Sequence, residues 1–287
     1  MSALSCAPEL VGAFLHAEWR AQVRRLSQVY RVAVPFPHIH LYPFLSPRAL
    51  AGVAAEFPGP NSTQWIRYKH ANENKNGLSR RDLFPPRIGE LVDDLNSPPF
   101  VSWISQLTGI PDLVPDFSLE GGGLHQASRG GFLNVHTDFT VHHHRPNWRR
   151  RVNLILYLNS GWQTSWGGAL EFWDQDMKRC VVSYAPILNH AVIFNTDDHS
   201  LHGFPDALQC PEEVSRKSLA LYYYTIADPG KSVVRSTQYR PRPEDGYLKA
   251  LMMKFDTRVV DIYSRAKRRF GFSDRMASKM LSIFSRG

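Results

Sequence analysis

Cysteine is scarce in this chain. Cys6, Cys180 and Cys210 stand far apart among 287 residues and show no CxxC spacing, which argues against a disulfide scaffold or a thiolate zinc site and fits a reducing compartment. Long apolar runs are missing as well. The longest, such as Val152 to Leu158, stop well short of the roughly 18 residues a membrane-spanning helix needs. Pro8 and Glu9 arrive too early for a basic start followed by an apolar stretch, so no signal peptide is predicted and the expected location is cytoplasmic. Internal repeats and low-complexity tracts are also lacking.

The composition present is that of a globular protein, with 43% hydrophobic, 12% aromatic and 21% charged residues. The net charge of +8 is unevenly placed: residues 231–287 carry fourteen basic and five acidic side chains, and residues 1–230 are close to neutral. A neutral body with a basic tail suggests a separate contact surface rather than a nucleic-acid-binding domain, and no recognition motif for nucleic acid accompanies the charge.

Periodicity divides the chain. Residues 8–30 read as an amphipathic helix, Ser46-Pro47 opens a helix to about residue 57, and further helices are expected after Pro86 and from Ser97-Pro98. Residues 58–84 are polar and predict a loop. From about residue 117 short β-type runs with glycine punctuation predict an antiparallel sandwich or barrel: Leu119–Ser128, Phe132–His136, Val152–Leu158, Ala169–Trp173, Cys180–Tyr184, Ala191–Phe194 and Ser218–Thr225. Asp228-Pro229-Gly230 marks a boundary. Beyond it Leu248, Leu251, Met252, Phe255, Val259, Ile262 and Ala266 form an apolar helical stripe, and Met276, Met280, Leu281 and Phe284 suggest another. The expected organisation is a domain over 1–230, helical over residues 1–116 with a β core over 117–230, followed by a basic helical extension over 231–287.

His136-Thr137-Asp138 places two metal-binding side chains on one face of a strand, because side chains alternate with period two. The apolar strand Ala191 to Phe194 runs into a polar turn bearing His199 and His202, either of which can supply a third ligand. Two histidines and a carboxylate on one face of iron(II) leave positions open for cosubstrate and dioxygen.

The order of the surrounding motifs carries a resemblance. His136-Thr137-Asp138 is followed by Leu156-Tyr157-Leu158-Asn159, Trp166-Gly167-Gly168-Ala169-Leu170-Glu171, Phe194 through His202-Gly203, and Arg216-Lys217-Ser218-Leu219-Ala220-Leu221-Tyr222. Over about residues 119–226 the sequence resembles the iron(II)- and 2-oxoglutarate-dependent dioxygenases of the prolyl-4-hydroxylase-like branch. The resemblance implies a mainly β core, a double-stranded β-helix or jelly-roll, with flanking α-helices. It also implies His136, Asp138 and His202 as metal ligands, and Arg216, Tyr157 and Gln126 around 2-oxoglutarate. Fe(II) would be the metal, 2-oxoglutarate and dioxygen the cosubstrates, and ascorbate a reductant. Asp138 favours hydroxylation, since related halogenases carry a small residue there. Strand alternation sets Arg216, Ser218, Ala220 and Tyr222 on one face and Lys217 on the other. The implied substrate is a prolyl residue in a peptide or protein, with a small metabolite as second choice. A non-catalytic jelly-roll binding protein and a zinc-dependent cupin-like enzyme are the competing readings.

Three other clusters have plain readings. His142-His143-His144 is expected to be a solvated loop, Arg149-Arg150-Arg151 solvated charge at a strand start, and Glu73, Lys75, Arg80 and Arg81 members of a surface loop. The basic C-terminal stripe is expected to pack on the parent domain or a second subunit, with contact to an anionic membrane surface as the alternative.

Overall fold

The computed structural model describes residues 14–228 and 234–270. The N-terminal region supplies α1 (Ala17–Ala21), α2 (Val23–Val32), β1 (His38–Leu41), α3 (Pro47–Ala55), β2 (Ile66–His70), β3 (Glu73–Leu78), α4 (Pro86–Leu95) and α5 (Pro98–Thr108). There follow β4 (Val114–Pro115), β5 (Gly123–Ala127), β6 (Phe132–Thr137), β7 (Trp148–Tyr157), β8 (Leu170–Trp173), β9 (Cys180–Tyr184), β10 (Ala191–Asn195), β11 (His202–Phe204) and β12 (Arg216–Ile226). β13 (Gln238–Tyr239) and α6 (Tyr247–Phe270) close the described chain. The expected first helix is two, broken at Gln22, and its first residues lie outside those described, as does the stripe from Met276.

The helix boundaries follow local chemistry. Ser46 accepts a hydrogen bond from the Ala49 N–H, and Pro47 occupies the first turn, where no amide donor is missed. α5 ends at Gly109, whose φ of 73° is a left-handed cap. These helices cover one side of a single antiparallel sheet whose main path runs β1-β10-β7-β12-β5-β3-β6-β11-β8-β9, a curled jelly-roll core.

Alternation along the two longest strands decides what faces where. On β7 and β12 the outward residues Leu154, Leu156, Leu219 and Leu221 are buried against Ile88, Leu91, Ile104 and Leu107 of α4 and α5. Burying such side chains stabilises the fold by about 1.5–3 kcal/mol each. The register sets Ser218 opposite Tyr157, Ala220 opposite Ile155 and Tyr222 opposite Asn153, so the alternate set faces the concave interior.

Residues 58–84 are not a loop. β2 and β3 form a hairpin that joins the core sheet through Gly77 opposite His125 and Glu73 opposite Leu133. Its polar alternation hid it, since an inward face of Glu73 and Lys75 is tolerable only because the two pair with each other at 3.1 Å. Arg80 and Arg81 do lie at the surface, paired with Asp82 and Asp93.

The same hairpin anchors the C-terminal segment. His70 lies between Asp256 of α6 at 2.7 Å and Glu73 at 2.9 Å, and Asn72 donates to the Met253 carbonyl. Burial works against charge on His70, but hydrogen bonds to Asp256 and Glu73 outweigh it and raise its pKa to about 9. The stability this bridge contributes is therefore complete below about pH 6.5 and is lost as pH rises through about 9. Thermal unfolding followed across that window should show Tm falling in the wild type, with a flatter profile in His70→Gln.

Candidate functional site

The antiparallel pairing of β6 with β11 sets His136 directly opposite His202, and their rings lie 4.5 Å apart. Asp138 follows just beyond the end of β6, two residues along on the same face. One ligand atom from each of the three lies within 4.8 Å of the others. His199 stays exposed on the preceding turn. The imidazoles are oriented by the main chain: His136 Nδ1 lies 2.9 Å from the Asn134 carbonyl and His202 Nδ1 2.8 Å from that of Ser200. A carbonyl only accepts, so each Nδ1 carries hydrogen and each Nε2 presents a lone pair to the interior. Those two nitrogens stand 3.6 and 3.5 Å from the Asp138 carboxylate.

Electrostatics keep His202 and Asp138 in metal-binding form. Burial, reinforced by His136, pushes His202 down to about 4, so it is neutral at physiological pH. Burial would raise the Asp138 carboxyl, but Arg150, His202 and His136 outweigh it and hold it well below the usual carboxylate range. Asn153 Nδ2 donates to Asp138 Oδ2 at 2.8 Å and Arg150 Nη2 lies 3.1 Å from the same oxygen. The donor set of two imidazoles oriented through Nδ1 and one carboxylate fits iron(II).

A second polar centre shares the cavity, whose volume is about 240 Å³. Arg216 is buried at the start of β12, its Nε donating to the Gly168 carbonyl at 2.7 Å and Nη2 to the Tyr157 hydroxyl at 3.2 Å. Its guanidinium lies over the rings of Phe204 and Tyr157. Among the described residues no carboxylate lies within ion-pair distance of it, and burial alone lowers its pKa. A buried guanidinium without a counter-ion is expensive, and this one fits the distal carboxylate of 2-oxoglutarate. Lys217 lies on the other strand face, toward Phe57.

Residues 122–224 match the family model described as the 2OG-Fe(II) oxygenase superfamily. Over that segment the chain is similar to that superfamily. Prolyl 3-hydroxylase OGFOD1 of the mouse is 30% identical to this chain over 148 residues, 50% of this chain and 24% of that protein. The chain thus covers about a quarter of the length of that relative. Among solved structures, a prolyl 4-hydroxylase from Phytophthora capsici superposes with a TM-score of 0.50 at 17% identity, over 97% of this chain and 93% of that one. This likeness supports the jelly-roll fold. A prolyl hydroxylase from Trichoplax adhaerens, solved with a hypoxia inducible factor peptide fragment, gives 0.48 at 16% identity, over 73% and 93%.

The interior also holds residues that the sequence did not single out. Gln126 borders the cavity, but it is paired with Lys217 on the strand face opposite Arg216, and its amide donates to Ser215 Oγ at 2.9 Å. The inward position is that of His125, opposite Ser218. His125 Nε2 is buried without a hydrogen-bond partner, and burial with the neighbouring Lys75 charge lowers its pKa to about 3. It is a neutral imidazole facing the cavity, and the register from Arg216 was the signal that could have found it.

Two expectations of solvated clusters are corrected. Arg150 is not solvated: it is 2% exposed and lies 3.4 Å over the Tyr222 ring. A register shift between Tyr223 and Tyr224, opposite Val152 and Arg150, reverses strand parity and turns Arg150 inward. His142 is buried beside Asp116 at 3.4 Å and Ser118 at 3.1 Å, and His143 lies 3.1 Å from Glu120. Only His144 of the three is largely exposed. Acidic partners on the segment before β5 draw the first two in.

Gly168 shows how tightly the interior packs around Arg216. Its φ is 75°, and a Cβ there would stand 2.6 Å from Leu208 Cδ2 and 3.0 Å from Arg216 Cδ. Gly168→Ala is expected to cost more than about 1 kcal/mol. Calorimetry should therefore show a Tm at least ~2 °C lower.

Proposed function

We propose that this chain is an Fe(II)- and 2-oxoglutarate-dependent dioxygenase that hydroxylates an unactivated C–H bond. A prolyl residue in a peptide or protein is its first candidate substrate and a small metabolite the second. One observation carries the reading: two oriented imidazoles and a carboxylate converge in the same cavity as a buried arginine without a carboxylate partner. A zinc-dependent cupin-like chemistry or simple binding leaves that arginine without a task.

His136, Asp138 and His202 are the residues that would hold iron. The metal with 2-oxoglutarate and dioxygen supplies oxidative decarboxylation to succinate and carbon dioxide, coupled to insertion of one oxygen atom into the substrate. The chain's own residues bind and orient. Arg216 and Tyr157 receive the distal carboxylate of 2-oxoglutarate. His125, neutral and with its Nε2 unpartnered, takes the neighbouring inward position that sequence reasoning gave to Gln126. Asn153 and Arg150 fix the Asp138 carboxylate so that one oxygen stays directed at the ligand site. Ascorbate would serve as a reductant for the iron.

The domain division at residue 230 belongs to the same reading and is supported by the charge step there. So does a cytoplasmic location, supported by Cys180 and Cys210, which are both unpaired.

Succinate release, measured with iron(II) and 2-oxoglutarate in the presence of a prolyl-peptide library, tests the proposal. Stimulation by peptides that gain the mass of one oxygen atom is the expected result. Slow succinate release with no peptide modified would move the substrate to a small metabolite. No succinate from folded, iron-loaded protein would overturn the dioxygenase reading itself.

A further inference from the structure

The apolar stripe of α6 is not packed on the parent domain. Tyr247, Leu248, Leu251, Met252, Phe255 and Ile262 are all more than half exposed, from 53% at Leu251 to 81% at Tyr247. At about 100° per residue they share one arc of roughly 140°. The opposite face is the one that docks: Met253 and Asp256 are buried, and Asp256 reaches His70 and Asn72 of the core.

Charge on the helix is sorted in the same way. Both of its acids turn toward the body, Asp256 as above and Asp261 by accepting a hydrogen bond from Ser236 Oγ at 2.8 Å. Lys254 and Arg258 are exposed along an edge of the apolar arc, and the sequence continues with Arg265, Lys267, Arg268 and Arg269. The outward face therefore combines aliphatic and aromatic side chains with cations and carries no acid among the described residues.

We propose that this face of α6 lies on an anionic phospholipid surface. Apolar side chains bordered by Lys and Arg suit a helix lying in the plane of the headgroups, where the chains enter the acyl boundary and the cations meet phosphate and carboxylate. No described helix is long and apolar enough to cross a membrane, so the contact is peripheral. A second copy on the same face would bring cations against cations with no acid to offset them, which disfavours self-association. Because β13, directly before α6, places Tyr239 in the cavity wall, docking would hold the catalytic domain close to the lipid surface. The inference does not depend on the iron reading.

Vesicle co-sedimentation of the full chain tests this. Binding to phosphatidylserine-containing vesicles, little binding to pure phosphatidylcholine, and weakening with added salt are expected. The double variant Leu251→Glu/Phe255→Glu alters exposed residues only. It should keep the wild-type circular dichroism and Tm while losing vesicle affinity by about tenfold or more. Equal binding by wild type and variant, or no binding by either, would overturn the proposal. So would light scattering that shows a dimer dissolved by the same substitutions, which would assign the face to a second copy.

Discussion

His202→Ala is expected to abolish iron-dependent turnover. The loss should exceed the ~10–100-fold that removal of a supporting hydrogen bond costs at a metal centre, because the substitution removes one of three ligand atoms. His136→Ala should behave alike. His199→Ala should leave turnover intact, since His199 is exposed on the turn outside the cluster. Iron content after anaerobic loading, measured beside succinate release, separates loss of metal from loss of folding. Full turnover in His202→Ala together with loss in His199→Ala would reverse the assignment of the distal ligand.

Arg216→Ala should act on the cosubstrate rather than on the metal. Truncating one side of a buried charge pair costs roughly 2–5 kcal/mol, so 2-oxoglutarate affinity should fall about 30-fold or more. Iron binding by His136, Asp138 and His202 should persist. The stability prediction runs the other way. Without its ligand Arg216 is a buried cation that burial alone disfavours, so the unliganded Arg216→Ala protein should unfold at or near the wild-type Tm. Saturating 2-oxoglutarate stabilises a protein that binds it by about 2.7 kcal/mol at a concentration of 100 Kd. The wild type should show that rise in Tm and the variant should not. An unchanged ligand-induced shift in Arg216→Ala would move the carboxylate contact elsewhere in the cavity.

The sequence revealed those features that depend on strict alternation or on local capping. β7 from Val152 and β12 from Arg216 alternate without interruption, so the inward set of Arg216, Ser218, Ala220 and Tyr222 was legible from period two alone. α3, α4 and α5 announced themselves through proline in the first turn, and Gly109 closed α5. The pairing of His136 with His202 was legible only through the resemblance, because register between distant strands is a tertiary fact.

The features that stayed hidden have physical reasons. Arg150 was misread because a bulge on β7 reverses parity after the second of three arginines, and no composition rule reports a bulge. The β2–β3 hairpin was misread because its inward face is polar, satisfied by Glu73 with Lys75 and His70 with Asp256 rather than by apolar burial. His142 was misread because its partners, Asp116 and Ser118, lie more than twenty positions away. Arg150, His70 and His142 are each a buried polar group with a partner from another segment: Asp138, Asp256 and Asp116.

The central claim is that His136, Asp138 and His202 hold iron beside a 2-oxoglutarate site formed by Arg216 and Tyr157. An anaerobic absorbance titration of the full chain with iron(II) and then 2-oxoglutarate tests it most directly. The account predicts a visible charge-transfer band that saturates with 2-oxoglutarate, is missing in Asp138→Ala, and requires far higher 2-oxoglutarate in Arg216→Ala. Folded, iron-loaded protein that shows no such band would contradict it.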